Sequence, residues 1–260
     1  MFRRIGVLIF AAAMLWPGGK MGLAAEIEHR FGTAILSVVV PDEQIAVAAD
    51  SKAIGITAAG EQKILSECKV RRIGENVFFS ATGLWSSQNS SLTTIIGGSF
   101  QEARKAREAI LLIEKRVQSY LAQALANVRA RSPESFRKWF DYLRRSSIIL
   151  FGLQNGSLFL YTSEFALTDG PERIHVEVTR YECPGSSCPS GHTTLAFYGH
   201  TKGLDEYFRK RRGSEIDMAW IRNAMEWAIR AEPQFVGPPV DILRINKTGA
   251  RWVQAKAECR

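Results

Sequence analysis

The sequence predicts an α+β domain built as a four-layer sandwich, two stacked and mainly antiparallel sheets with helices on both outer faces. Three observations point there. Strand-like segments flank a helical middle, in the order strands, two helices, strands, helix, strands, and this order suits two sheets covered by helices. The first two strands are apolar on both faces, so both faces must be covered. The chain has 260 residues and is 46% hydrophobic, enough for one substantial core in one domain.

The elements follow in order. Residues 33–40 (TAILSVVV) form a buried strand rich in β-branched residues. Pro41 and Asp42 mark a turn, and a second strand runs from Ile45 to Ala49 and ends at Asp50. A polar Gly/Ala/Thr loop is expected over 51–62. Lys69–Ile73 and Val77–Ser80 then form a hairpin through Gly74-Glu75-Asn76. Ile110, Ile113, Val117, Leu121, Ala124 and Val128 recur at spacings of three and four, one face of a long helix. Ser132-Pro133-Glu134 starts a second helix reaching about Arg144. Strands return at Ser147–Gly152 and Leu158–Thr162, joined through Asn155-Gly156, a strong hairpin signal. Further strands are expected at Ile174–Thr179 and Leu195–Tyr198. Ser214 with Asp217 opens the last helix. The chain closes with a strand at Val240–Ile245, a turn over 246–249, and Trp252-Val253.

The first 25 residues stand apart. Arg3 and Arg4 precede an almost wholly apolar run from Ile5 to Trp16, and small residues end at Ala25. This is the layout of a secretory signal peptide, and the run is about half the ~20 residues a spanning helix needs. The expected organisation is a signal peptide at 1–25, a short pro-segment at 26–32 and one domain at 33–260. The expected location is periplasmic or secreted, with no membrane contact after signal cleavage.

The net charge is +8. Removing Arg3, Arg4 and Lys20 from the 34 basic residues leaves 31 against 26 acidic ones, a net +5. Acids and bases alternate, as in Glu102, Arg104, Lys105, Arg107 and Glu108, which reads as a solvated helix face and not as a nucleic-acid stripe. Four cysteines, Cys68, Cys183, Cys188 and Cys259, suit an oxidising compartment. Cys183 and Cys188 flank a turn-forming spacer and predict a local bridge. Spacing leaves open whether Cys68 and Cys259 pair.

The segments Gly32-Thr33-Ala-Ile-Leu and Ile45-Ala-Val-Ala-Ala-Asp50-Ser51 resemble the start of a mature proteasome β subunit. Lys69-Val70-Arg71-Arg72-Ile73, followed by Ser80-Ala81-Thr82-Gly83-Leu84, resembles that family's lysine-valine strand and small-residue turn. Weaker likenesses extend over most of residues 32–253. The resemblance implies the αββα fold of the N-terminal-nucleophile (Ntn) hydrolases. It also implies a peptidase that frees its own threonine by cutting between Gly32 and Thr33. In such an enzyme the hydroxyl attacks an amide carbonyl and the α-amine takes the proton. A free α-amine titrates near 7.7–8.0, and a neighbouring cation lowers that value. By resemblance Lys69 supplies the cation, Asp50 holds and balances Lys69, and the Gly83 amide faces the oxyanion. The implied substrate is a peptide or protein, and a homo-oligomer is implied as well. No nucleic-acid partner, cofactor or metal is expected.

Each residue also has a plainer reading. Thr33 can be an ordinary strand residue, Asp50 a strand-end turn former, Lys69 a surface lysine with Lys63 as its rival, and Gly83 a turn glycine. The family's glycine-serine turn is here Gly199-His200-Thr201-Lys202, with His200 or Thr201 as a stand-in. Its later acidic and serine positions fall near Pro233 and Val236, with Glu232 displaced. These departures leave open a non-catalytic protein that kept the fold and serves as an assembly or binding module.

Two other signals are weak. Pro189-Ser190-Gly191-His192 matches one block of a phosphatase superfamily whose other blocks are missing. Cys183, Cys188, His192 and His200 have zinc-ligand chemistry but no standard zinc spacing.

Overall fold

A computed structural model describes residues 27–57, 61–87, 90–188 and 192–260. The expected signal peptide and the Pro189–Gly191 part of the phosphatase-like block lie outside the described residues. The strands are β1 (Ile27–Phe31), β2 (Ala34–Val40), β3 (Gln44–Asp50), β4 (Lys52–Thr57), β5 (Gln62–Ser66), β6 (Val70–Arg72), β7 (Val77–Thr82), β8 (Ser86–Ser87) and β9 (Ser90–Ser91). Helices α1 (Leu92–Ala103), α2 (Ala106–Arg131) and α3 (Pro133–Leu143) follow. Next come β10 (Arg145–Gln154), β11 (Ser157–Asp169), β12 (Ile174–Cys183), β13 (Thr194–Gly199), α4 (Lys202–Lys210), α5 (Met218–Ala231), β14 (Val240–Asn246) and β15 (Gly249–Gln254).

Two five-stranded antiparallel sheets stack face to face, in the orders β13-β2-β3-β14-β15 and β12-β11-β10-β7-β6. Side-chain alternation sorts the core into three layers. In β2, Ile35 and Val39 point between the sheets, where they meet Phe78, Ile149, Phe151 and Leu160 of the facing sheet. Ala34, Leu36 and Val38 point the other way, onto Ile221, Ala224, Met225 and Ala228 of α5. In β10, Ile149 and Phe151 face the middle, while Ile148 and Leu150 pack toward Ile110, Ile113 and Val117 of α2. Helices therefore cover both outer faces, and the predicted α+β sandwich is the observed architecture. Each fully buried large aliphatic or aromatic side chain contributes roughly 1.5–3 kcal/mol against exposure.

Within the polar loop expected over 51–62, residues 52–57 are strand. Only Ser51 separates β3 from β4, and β4 with β5 belongs to a third sheet ordered β5-β4-β1-β8-β9. Ile54 and Ile56 on β4 are buried beside Phe79 and Trp85, so tertiary burial makes a strand of a stretch whose Gly and Thr content reads as a turn. Helix α1 is also absent from the sequence reading, because Thr93, Thr94, Gly97 and Gly98 are poor helix formers. The structure forms it anyway. Ser91 caps the Thr94 amide at 3.2 Å, and Leu92 and Ile96 are buried.

The final helix begins later than expected. Asp217 is its N-cap, accepting from the Trp220 amide at 2.7 Å, and Ser214 lies outside. Helix α4, unforeseen, precedes it with Leu204 and Tyr207 buried at i,i+3 spacing. The β10–β11 turn is the foreseen one, since Asn155 and Gly156 both have positive φ (52° and 76°).

Both cysteine pairs are disulfides. Cys183–Cys188 closes the local loop, and Cys68–Cys259 ties the residue before Lys69 to a segment 191 residues away. The two cysteines of the zinc-like quartet are thus used. No described helix is long and apolar enough to cross a membrane.

Candidate active site

Thr33 and Asp50 are brought together by strand register. β2 and β3 pair antiparallel with Ile35 opposite Ala49, so the entry to β2 lies beside the end of β3. Thr33 Oγ1 donates to Asp50 Oδ1 at 2.9 Å, and the Ala34 amide donates to the same oxygen at 2.8 Å. The other oxygen, Oδ2, accepts from the amides of Lys52 (2.9 Å) and Gly237 (3.0 Å). Asp50 is wholly buried, and burial pushes its carboxyl above the ordinary value. The Lys69 charge, the Ala34 and Gly237 amides and the Thr33 hydroxyl act in the opposite sense.

Lys69 precedes β6 and enters the core from the neighbouring sheet. It is wholly buried, and its Nζ donates to the Gly32 carbonyl oxygen at 2.6 Å. The Trp85 ring lies beneath the ammonium, 5.1 Å from ring centroid to Nζ, an arrangement that favours a cation. Burial nevertheless lowers the Lys69 pKa to about 8, against the opposing pull of Asp50 and Glu67. The sequence reading expected Asp50 to hold Lys69. Here Asp50 reaches Lys69 through its charge, while its four hydrogen bonds go to Thr33 and three backbone amides.

Gly83 follows β7 with φ of +83°, a conformation that suits glycine. A Cβ built there would overlap Ser146 Oγ, so the position has no room for a side chain. Gly32, Thr33, Thr82, Gly83, Ser146, Tyr198 and His200 line a cleft of about 590 Å³. The four predicted residues therefore converge: Thr33 and Gly83 on the cleft wall, with Asp50 and Lys69 bonded to Thr33 and Gly32 from behind.

Gly199, with φ of +79°, turns the chain so that the His200 amide donates to the Thr33 carbonyl at 2.9 Å. The His200 ring lies flat on Phe235 (centroids 4.2 Å apart, 7° between planes). Its Nδ1 is 3.5 Å from Glu232 Oε1. This contact is the main reason the Glu232 carboxyl lies below its ordinary value. His200 thus occupies the turn where the sequence reading sought a stand-in. His192, of the phosphatase-like block, is exposed and does not line this cleft.

Two features were invisible in the sequence. The Gly32 carbonyl is a backbone group and carries no residue-type signal. Ser146 is one of two serines near the start of β10, and only the pairing of Ser147 with Thr82 carries it to Gly83.

No family model matches the chain, and no curated protein matches it by sequence. Solved structures similar to it include eukaryotic HslV from Trypanosoma brucei, with 17% identity over 82% of this chain and 99% of that chain and a TM-score of 0.42. Another is a Gly-1 mutant of Anbu from Hyphomicrobium sp. strain MC1, with 15% identity, 87% and 89% coverage and a TM-score of 0.46. A third is Anbu, described as an ancestral beta-subunit, from Yersinia bercovieri, with 14% identity, 85% and 88% coverage and a TM-score of 0.46.

Proposed function

We propose that this chain is an exported, threonine-type Ntn amidohydrolase, a peptidase resembling proteasome β subunits, that cuts itself between Gly32 and Thr33. One observation carries the reading. The Gly32 carbonyl oxygen holds a buried ammonium, while the hydroxyl of the next residue donates to a buried carboxylate.

The step follows from that arrangement. Thr33 Oγ1 attacks the Gly32 carbonyl carbon and passes its proton to Asp50, whose raised pKa makes it a better acceptor. The negative charge forms on the Gly32 oxygen, where Lys69 stabilises it. The carbon–nitrogen bond breaks, Thr33 nitrogen takes a proton, and an ester joins Gly32 to Thr33 Oγ1. Water hydrolyses the ester, leaving a Gly32 carboxylate and a free Thr33 amine. That amine then serves as the base in substrate hydrolysis, with Lys69 lowering its pKa. The reading includes a signal peptide at 1–25, a pro-segment at 26–32, a periplasmic or secreted location, a peptide or protein substrate and self-association.

The test is the intact mass and N-terminal sequence of protein recovered from the periplasm, wild type beside Thr33→Ala. The wild type is expected to begin at Thr33 and the variant to keep Gly32. A hydrolytically active wild type that still carries residues 26–32 would end the threonine reading.

A second reading, a non-catalytic assembly or binding module, has its own supporting observation. Ile27–Phe31 forms β1, seated between β4 and β8, so the segment ahead of Thr33 is built into a sheet. This reading expects Thr33→Ala to alter nothing but the cleavage state.

A further inference from the structure

Several buried polar side-chain atoms lack a hydrogen-bond partner among the described residues, and of these only Ser146 Oγ belongs to the cleft that holds Thr33. Ser146 is 2% exposed. A buried hydroxyl with no partner forfeits its hydration without return, a cost of about 1–3 kcal/mol. Such orphans are uncommon in native proteins, and each calls for an explanation such as strain, a bound water or ion, or a catalytic role. Beside it, the Gly83 amide makes no hydrogen bond to a described backbone carbonyl outside the sheet ladders.

The two groups are adjacent. Ser147 pairs with Thr82 across β10 and β7, so Ser146 and Gly83 face each other one step beyond the ladder. The Ser147 amide donates to Thr82 Oγ1 at 3.0 Å, which fixes the backbone at that step. Ser146 Oγ occupies the space a side chain on Gly83 would take.

We propose that Ser146 is a catalytic residue, its hydroxyl joining the Gly83 amide as a second donor to the oxyanion formed on the substrate carbonyl. The proposal rests on the hydrolase reading above and deepens it. During hydrolysis Thr33 Oγ1 adds to the substrate carbonyl carbon, and the carbonyl π electrons move onto its oxygen. That oxygen accepts from Gly83 N–H and Ser146 O–H until the carbonyl re-forms as an ester on Thr33 Oγ1; the Thr33 α-amine carries its own hydroxyl's proton to the departing amine, and water then hydrolyses the ester. The Ser146 hydroxyl turns about one single bond, so it follows the developing charge without backbone movement. Self-cleavage uses a different donor, because the Gly32 oxygen faces Lys69.

The experiment compares wild type, Ser146→Ala, Ser146→Cys and Thr33→Ala. Intact mass follows self-cleavage, thermal melting follows stability, and N-capped peptide aminomethylcoumarin amides are the hydrolysis probe. Both Ser146 variants are expected to reach the wild-type cleaved mass. Ser146→Ala melts no lower than wild type, since it removes an unpartnered hydroxyl. In both, kcat falls by about 10²–10³ while KM moves little, the scale of one lost oxyanion donor. A kcat for Ser146→Ala within threefold of wild type overturns the proposal. So does a wild-type kcat in Ser146→Cys, because a thiol is only a weak donor and should not replace the hydroxyl. A wild type as uncut and inert as Thr33→Ala overturns the hydrolase reading and this proposal with it.

Discussion

Lys69 Nζ sits 2.6 Å from the carbonyl oxygen of Gly32, inside the core and away from solvent. Burying an ammonium costs several kcal/mol, and a single carbonyl only partly offsets that. Asp50 supplies the opposite charge nearby, held in place by Thr33 and three backbone amides. The arrangement couples a buried charge pair to the one peptide bond that precedes Thr33.

Lys69→Met keeps the length of the side chain and removes its charge. The Gly32 oxygen then lacks its donor, and self-cleavage is expected to slow by about 10²–10³, read as persistence of the uncut mass. The change also leaves the buried Gly32 carbonyl without its hydrogen-bond donor. A stability loss of about 1–3 kcal/mol is expected, measured by urea unfolding.

The Lys69 pKa of about 8 predicts opposite pH trends for two observables. Above that pH the folded protein loses the ammonium, so self-cleavage slows. The same group is still protonated in the unfolded chain up to its ordinary value of 10.5. Between about 8 and 10.5 the unfolded state therefore binds more protons, and the Lys69 contribution to stability rises with pH. Asp50, Glu67, Arg71 and Lys256 are the charged groups that act on it. Cleavage rates across pH 6–10, beside unfolding curves of wild type and Lys69→Met, check both trends.

Asp50→Asn replaces two acceptor oxygens with one. Four donors converge on the carboxylate, two at each oxygen. The new amide must point its own N–H groups at two of them. About 2–4 kcal/mol of stability is expected to be lost, with no self-cleavage; urea unfolding and intact mass measure the two effects.

Breaking the Cys68–Cys259 bridge acts on the site through Lys69, the next residue. The paired substitution Cys68→Ser with Cys259→Ser reopens a loop spanning 191 residues. The expected loss is about 2–5 kcal/mol in urea unfolding. Self-cleavage should slow in the same variant at temperatures where it is still folded.

The two-sheet architecture was legible because its strands advertise themselves. Ile35, Val39, Ile45 and Val47 face the other sheet, and Leu36, Val38, Ala46 and Ala48 face helices, so apolar residues fall on both parities. Helices α2 and α3 carried a long apolar stripe and a Ser-Pro start. Elements held mainly by their surroundings were not legible. β4 contains a glycine and α1 contains two, and each exists because Ile54, Ile56, Leu92 and Ile96 find a place in the outer core. Cys183–Cys188 could be read from proximity in the chain, whereas Cys68–Cys259 could not.

The amino-acid order alone determined which residue types were on offer: a threonine after a glycine, an aspartate ending the second strand, a lysine, and a glycine fourteen positions later. It could not say what those groups touch. Folding decided that the lysine meets a backbone carbonyl, that the carboxylate gathers four donors, and that Ser146 lies against Gly83. Residue type and local periodicity travel along the chain, but hydrogen bonding and desolvation depend on which segments meet in space. Here the decisive partners are backbone groups and residues from distant strands, on which side-chain pattern is silent.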